Sequence, residues 1–273
     1  MKLENPSDFE LITIVAKFEF LRLVKGKKLY AMIVLGILIP ILGVSLQNFF
    51  DFPEPENVEI YLFGLFNGLF FLQVIVAAFF GSGALVSEFQ GKTGYTLFPN
   101  PIGRKSIWLG KFLSAEISSF LVISIFYIVI STDALSKYNS LPIEIFVSLI
   151  LSFLVTTALM CIAFMISSVF RSTSSSLLLM IVLFIIIFPM IDQTLVSFGD
   201  TKPWFTPSFS SGIVSNVLKN PYPSDLKEGF LPRGPFDFEV YVPYVPESVA
   251  IFLGYIALFG VTSIIFFQKR EMA

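Results

Sequence analysis

Six long apolar runs separated by shorter polar stretches set the pattern of this chain. Each holds an uncharged block close to the roughly 20 residues with which a helix crosses the hydrocarbon of a bilayer. The pattern predicts span one from Leu29 to about Gln47 and span two from Ile60 to Val86. Span three begins near Ser106, with its uncharged part from Ile117 to Thr132, and span four covers Ile145 to Phe170. Span five runs from Thr173 to Ile191 and span six from Ser248 to Gln268. Pro40 and Pro189 fall inside spans one and five, where neighbouring groups can satisfy the carbonyls that a proline frees.

Ahead of the first span, residues 8–28 read as a partly amphipathic helix. Leu11, Ile14, Val15, Phe18 and Leu21 share one face, and Glu10, Thr13 and Lys17 share another. Glu19 and Arg22 fall outside that polar stripe, and the helix ends on Lys25, Lys27 and Lys28. A partial moment with a basic end predicts a helix lying in the membrane interface. The charges at Asp8, Glu10, Lys17, Glu19 and Arg22 break the apolar core that a cleaved signal peptide needs.

Composition agrees with the spans. Hydrophobic residues are 55% of the 273 and charged residues only 14%, well below the roughly 25% of a soluble domain. The fold class is therefore all-α and integral to the membrane, a single transmembrane unit over residues 1–273. The net charge of -2 conceals an asymmetry. Thirteen of the 18 Lys and Arg fall before span one, between spans two and three, between spans four and five, or after span six. The rule that cationic loops stay inside places those connections and both termini in the cytoplasm of a cell membrane.

The outer connections are unequal. Residues 48–59 and 133–144 are short, whereas 198–247 holds eight of the sixteen prolines. Within it, Ser208 to Lys219 predicts a short amphipathic helix after Pro207. The remainder, rich in proline and aromatic residues, predicts an extended packed cap.

Little classical chemistry is available. There is no histidine, and Cys161 is the one cysteine, so histidine bases, the usual zinc sites and an intrachain disulfide are excluded. Gly91-Lys92-Thr93 imitates the end of a phosphate-binding loop, but position 86 is Val86 where that motif needs glycine, and a membrane span precedes it where a strand is needed. The chain is thus expected to be no enzyme, to carry no cofactor or metal, and to bind no nucleic acid. Glu116 and Asp192 lie near the ends of spans three and five, where structural or rim roles are expected. Gly64 and Gly68 share a face of span two, with Asn67 and Gln73 nearby. Small residues at that spacing let helices approach closely, inside one subunit or between two, and the amides can bond across helices.

The polar stretch between spans two and three, EFQGKTGYTLFPNPIGRKSIWLGK from Glu88 to Lys111, carries the most information. Gly91, Gly94, Pro99, Pro101 and Gly103 prevent one unbroken helix, and Lys92, Arg104, Lys105 and Lys111 stand against the single acid Glu88. The ordered string Glu88, Gly91-x-Thr93-Gly94, Leu97, Pro101 with Arg104 three residues on, and Gly110-Lys111 resembles the membrane subunit of an ATP-binding-cassette transporter of the type-2 exporter class. The order of elements along the whole chain agrees with that class.

The resemblance implies a permease that uses a separate ATPase subunit, two copies per complex, with ATP and Mg bound there. It implies a second permease subunit, as homodimer or heterodimer. Residues 88–105 would form the coupling region, with Glu88, Gly91, Thr93, Gly94, Leu97, Pro101 and Arg104 as its marked positions. The N-terminal helix would be the family's connecting helix, and residues 198–247 its extracytoplasmic segment. Spans two and five would line the path, with Gly64, Asn67, Gly68 and Gln73 as interface or pathway residues. Outward transport is implied by resemblance alone. A secondary transporter would call for polar groups at mid-membrane and internal symmetry, neither of which the sequence displays. A non-transporting scaffold on the same fold stays open.

Overall fold

The computed structural model describes residues 7–50, 55, 57–90, 103–199, 201–224 and 241–270. Among them the ordered structure is helical, with no strand. Six helical stretches are long and apolar enough to cross a membrane: Lys28–Gln47, Val58–Glu88, Arg104–Tyr138, Glu144–Val169, Thr173–Phe198 and Val245–Lys269.

The N-terminal helix, Asp8–Lys25, starts on a capping box. The Ser7 hydroxyl accepts from the Glu10 amide and the Glu10 carboxylate accepts from the Ser7 amide, so amides left open by the first turn are satisfied locally. Acids open the helix and Arg22 and Lys25 close it, matching its dipole. Gly26 ends it, and Lys27 turns the chain with φ at 61°, in the left-handed region, before span one starts at Lys28. The helix lies against the first turns of span three. A Cβ at Gly110 would stand 2.6 Å from Val15 Cβ, so glycine is what admits this approach.

Spans two and four form the centre. In span two, 72% of the apolar window is buried, against 17% in span five and 11% in span six. Without a hydrophobic drive between helices in lipid, close contact and hydrogen bonds must hold such a pair. Gly81 supplies the contact, since a Cβ there would meet Ala163 at 2.7 Å and Met160 Sδ at 2.8 Å. Gln73 supplies the bonds. Its amide donates to the Ser152 carbonyl (3.0 Å), Ser152 Oγ (2.8 Å) and Thr156 Oγ1 (3.3 Å). Span three closes over this pair, and Trp108 Nε1 donates to Ser263 Oγ at 2.9 Å to bring in span six.

Two spans are interrupted, span two, whose length allows a kink, and span five, which holds Pro189. Span two is helical over Val58–Phe66, turns at Asn67 and Gly68, resumes over Leu69–Gly81, turns again, and ends in a short helix Val86–Gln90. Ser167 of span four caps that last piece, its Oγ accepting from the amides of Leu85 (3.0 Å) and Val86 (3.1 Å). Span five extends beyond the expected Ile191 to Phe198 and contains a π-helical turn at Val182–Ile187. Pro189 follows two residues after its end. It cannot donate to the ladder, and the wider turn just before it absorbs the break.

The amphipathic helix expected over Ser208–Lys219 is two short helices instead, Pro207–Ser210 and Ile213–Asn216. Serine hydroxyls bond back to nearby carbonyls here, Ser211 to Ser208 and Ser215 to Gly212, and such bonds compete with a continuous ladder. Gly212 sits at the junction, where a Cβ would approach the Phe209 carbonyl at 3.1 Å and Pro243 Cγ at 3.2 Å. Most of the proline-rich cap expected after it lies outside the described residues.

Candidate functional site

At the foot of span two, four charged side chains from three elements meet. Lys111 Nζ of span three donates to Glu88 Oε1 at 2.7 Å and to Glu19 Oε1 of the N-terminal helix at 2.5 Å. Arg22 reaches the same two acids, Glu19 at 2.7 Å and Glu88 at 3.3 Å. Glu88 and Lys111 are each only 2% exposed, whereas Arg22 remains half exposed. A buried ion pair is stabilising only when its geometry is good and its remaining donors and acceptors are served. Here each acid meets two cations and each cation two acids. The arrangement fastens the first residues of the connection between spans two and three to the N-terminal helix and to span three.

The other end of that connection is fastened as well. Arg104 donates to the carbonyls of Gln268 (2.7 Å) and Arg270 (2.8 Å), closing the C-terminus of span six. Arg270 in turn donates to the carbonyls of Ser168 (3.0 Å) and Ser167 (3.3 Å) at the end of span four. Terminal carbonyls lack partners inside their own helix and favour cations. The two arginines therefore form a chain of caps across spans three, six and four.

Of the seven positions marked for the coupling region, the structure brings Glu88 and Arg104 to the two ends of the connection and buries the Glu88 carboxylate. Gly91, Thr93, Gly94, Leu97 and Pro101 lie outside the described residues. Lys111 and the pair Glu19 and Arg22 were not singled out as site residues. Their signal was present, since Glu19 and Arg22 are the charges that break the polar stripe of the N-terminal helix.

Toward the other membrane face, a cavity of about 520 Å³ opens between span two, span five and the short outer helices. Phe66, Phe70, Phe71 and Phe209 give it an aromatic wall, while Asn67, Gln73, Gln193 and Ser211 supply polar edges. Asp192, also on the wall, accepts from the hydroxyls of Thr206 and Ser208 and so ties span five to the outer segment. Asn67 Oδ1 accepts from Ser215 Oγ at 3.3 Å. Lys219 stands 3.4 Å from the Phe63 ring, and burial lowers its pKa.

The four candidates on span two thus separate. Asn67 and Gln73 border the cavity, and Gln73 is bonded to span four of its own chain. Gly64 and Gly68 face outward: nothing lies within 4 Å of a Cβ at Gly64, and at Gly68 only the Leu65 carbonyl at 4.0 Å. Glu116 is buried in span three. Neither of its oxygens has a hydrogen-bond partner among the described residues, since the nearby Thr157 hydroxyl is committed to the Phe153 carbonyl at 2.9 Å. Among the described residues no group of three potential metal ligands occurs.

The family comparison accounts for this architecture. The sequence model of the ABC-2 family transporter proteins matches residues 13–272. The chain belongs to that family: it is a multi-pass membrane protein and a permease subunit of an ABC transporter. Membership implies an ABC ATPase as partner and a dimeric arrangement. The comparison with curated proteins returned no match.

Proposed function

We propose that this chain forms half of the path of an ATP-driven exporter and receives its motion through residues 88–105. The ATPase, with its ATP and Mg, is a separate cytoplasmic subunit present in two copies. A second permease copy or a close relative completes the path in the cell membrane, with both termini on the cytoplasmic side. The observation that carries the reading is the fastening of the 88–105 connection at both ends, by Glu88 to Lys111 and by Arg104 to span six. A segment held in that way passes a push to spans two, three, four and six together, instead of dissipating it in a slack loop. Glu88, being buried, acts by holding the segment in position. Contact with the ATPase then falls to the stretch that includes Thr93 to Leu97.

The cavity between spans two and five is the entry to the path. Its aromatic wall and sparse polar edge suit an amphiphilic cargo with a large apolar part. The test is reconstitution of the chain in vesicles with and without its ATPase. Nucleotide-dependent efflux only when both are present supports the proposal. Efflux from the chain alone, or a complex that hydrolyses ATP without moving any amphiphile, overturns it.

A further inference from the structure

A second cavity, of about 250 Å³, lies beside the ion cluster, between the N-terminal helix, spans two and three and the start of span five. Its walls combine three kinds of group. Arg22, Lys28 and Lys111 bring positive charge, and since Glu19 and Glu88 pair with Arg22 and Lys111, the charge of Lys28 is left in excess. Ser114 brings a hydroxyl that is 1% exposed and has no hydrogen-bond partner among the described residues. Leu23, Phe79 and Phe80 make the apolar side, with Phe79 partly open to the membrane.

Each group points to the same chemistry. A lysine ammonium has more donors than the two that Lys111 spends on Glu19 and Glu88. A buried hydroxyl without a partner carries a desolvation penalty that a ligand oxygen would remove. Thr173, on the wall, is the first residue of the helix that opens span five. The amides of such a turn favour an anion. Lys25 and Lys27, the sequence neighbours of the lining residues Gly26 and Lys28, add to the positive charge of this segment. We infer that this cavity binds a phosphate group, presented by an anionic phospholipid of the leaflet on the side of the N-terminal helix. The phosphate sits among Lys28, Lys111 and Ser114, and the acyl chains pass out along Phe79. A bound lipid then braces the N-terminal helix against spans two and three. The site is separate from the path and does not depend on the transport direction or cargo.

The test uses the purified full-length complex in nanodiscs of phosphatidylcholine, with and without phosphatidylglycerol, read by native mass spectrometry and by melting temperature. The wild type should retain a phosphatidylglycerol molecule through delipidation and melt higher in its presence. Lys28→Gln, an exposed position, should lower retention about tenfold, the size of one charge-assisted contact. Ser114→Leu, which fills the cavity, should abolish it. Should Ser114→Leu fail to fold, Ser114→Ala serves, with a smaller loss. Inorganic phosphate that raises the melting temperature of the wild type but not of Lys28→Gln, without phosphatidylglycerol, upholds the phosphate site and makes its source soluble. Equal phosphatidylglycerol retention by wild type, Lys28→Gln and the Ser114 variants overturns the inference.

Discussion

Lys111, near the start of span three, places its ammonium 2.7 Å from Glu88 at the end of span two, and both side chains are almost wholly buried. The bond joins residues 23 positions apart in sequence, and the middle of the segment between them lies outside the described residues. It makes the two ends of spans two and three move as one.

Lys111→Met removes the buried ammonium that Glu88 and Glu19 share, and the half-exposed Arg22 stays as their common cation. Stranding a buried charge is strongly destabilising, and we expect a loss of about 3 kcal/mol. Glu88→Gln should cost less, because Lys111 keeps Glu19. The double variant should recover part of the Lys111→Met loss. Melting temperatures of the four proteins in one detergent give the coupling. Additive losses would show that the pair does not interact.

Gly110 decides how closely the N-terminal helix lies on span three. Gly110→Ala puts a methyl 2.6 Å from Val15 Cβ and Cγ1 and 3.0 Å from the Ile12 carbonyl, and overpacking of this kind costs about 1–3 kcal/mol. Val15→Gly in the same chain should return most of it. Proteolysis near Gly26 should quicken in the single variant and slow again in the double.

Arg104→Lys keeps the charge but loses the planar guanidinium whose Nη1 donates to both the Gln268 and Arg270 carbonyls. Hydrogen exchange at the C-terminal turn of span six should rise in Arg104→Lys and rise further in Arg104→Ala, with the rest of span six unchanged. Uniform exchange across the variants would remove the cap from the account.

Gly64→Leu and Gly68→Leu separate folding from association. Because the space around both positions is open in the single chain, the double variant should melt close to wild type when monomeric. If this face joins the two permease copies, crosslinking between them should fall several-fold. Unaltered crosslinking would put the interface elsewhere.

Gln73→Leu removes a buried donor shared by Ser152 and Thr156. Interhelical bonds of this kind contribute about 0.6 kcal/mol on average inside membranes, so the melting temperature should fall modestly. A large fall would mean that the amide also holds the cavity wall in shape.

The six spans were legible because hydrocarbon thickness imposes a length that uncharged runs report directly. The long connections at Glu88 and Arg104 were legible as a motif, but their partners were not. Lys111 reads locally as a cation opening a span. Only the fold reveals that it faces Glu88 across the connection and Glu19 across a helix contact. The misfit of Glu19 and Arg22 in the N-terminal helix was the available sign, since charges that serve a buried cluster need not follow a solvent stripe. The length of span two and Pro189 in span five pointed to a kink in each, but not to the breaks at Asn67 and Gly68 or to a π-helical turn. Hydropathy counts apolar residues and is indifferent to how their amides pair.

That turn has a mechanical consequence. Between Val182 and Pro189 the ladder of span five is widened and then short of a donor, so bending costs least there. Beyond it, Asp192 is joined to Thr206 and Ser208. The distal third of the helix therefore travels with the short helix Pro207–Ser210, like a shutter hinged on its own frame. Its proximal part stays with the bundle, and widening the mouth of the larger cavity need not disturb the packing of spans two and four.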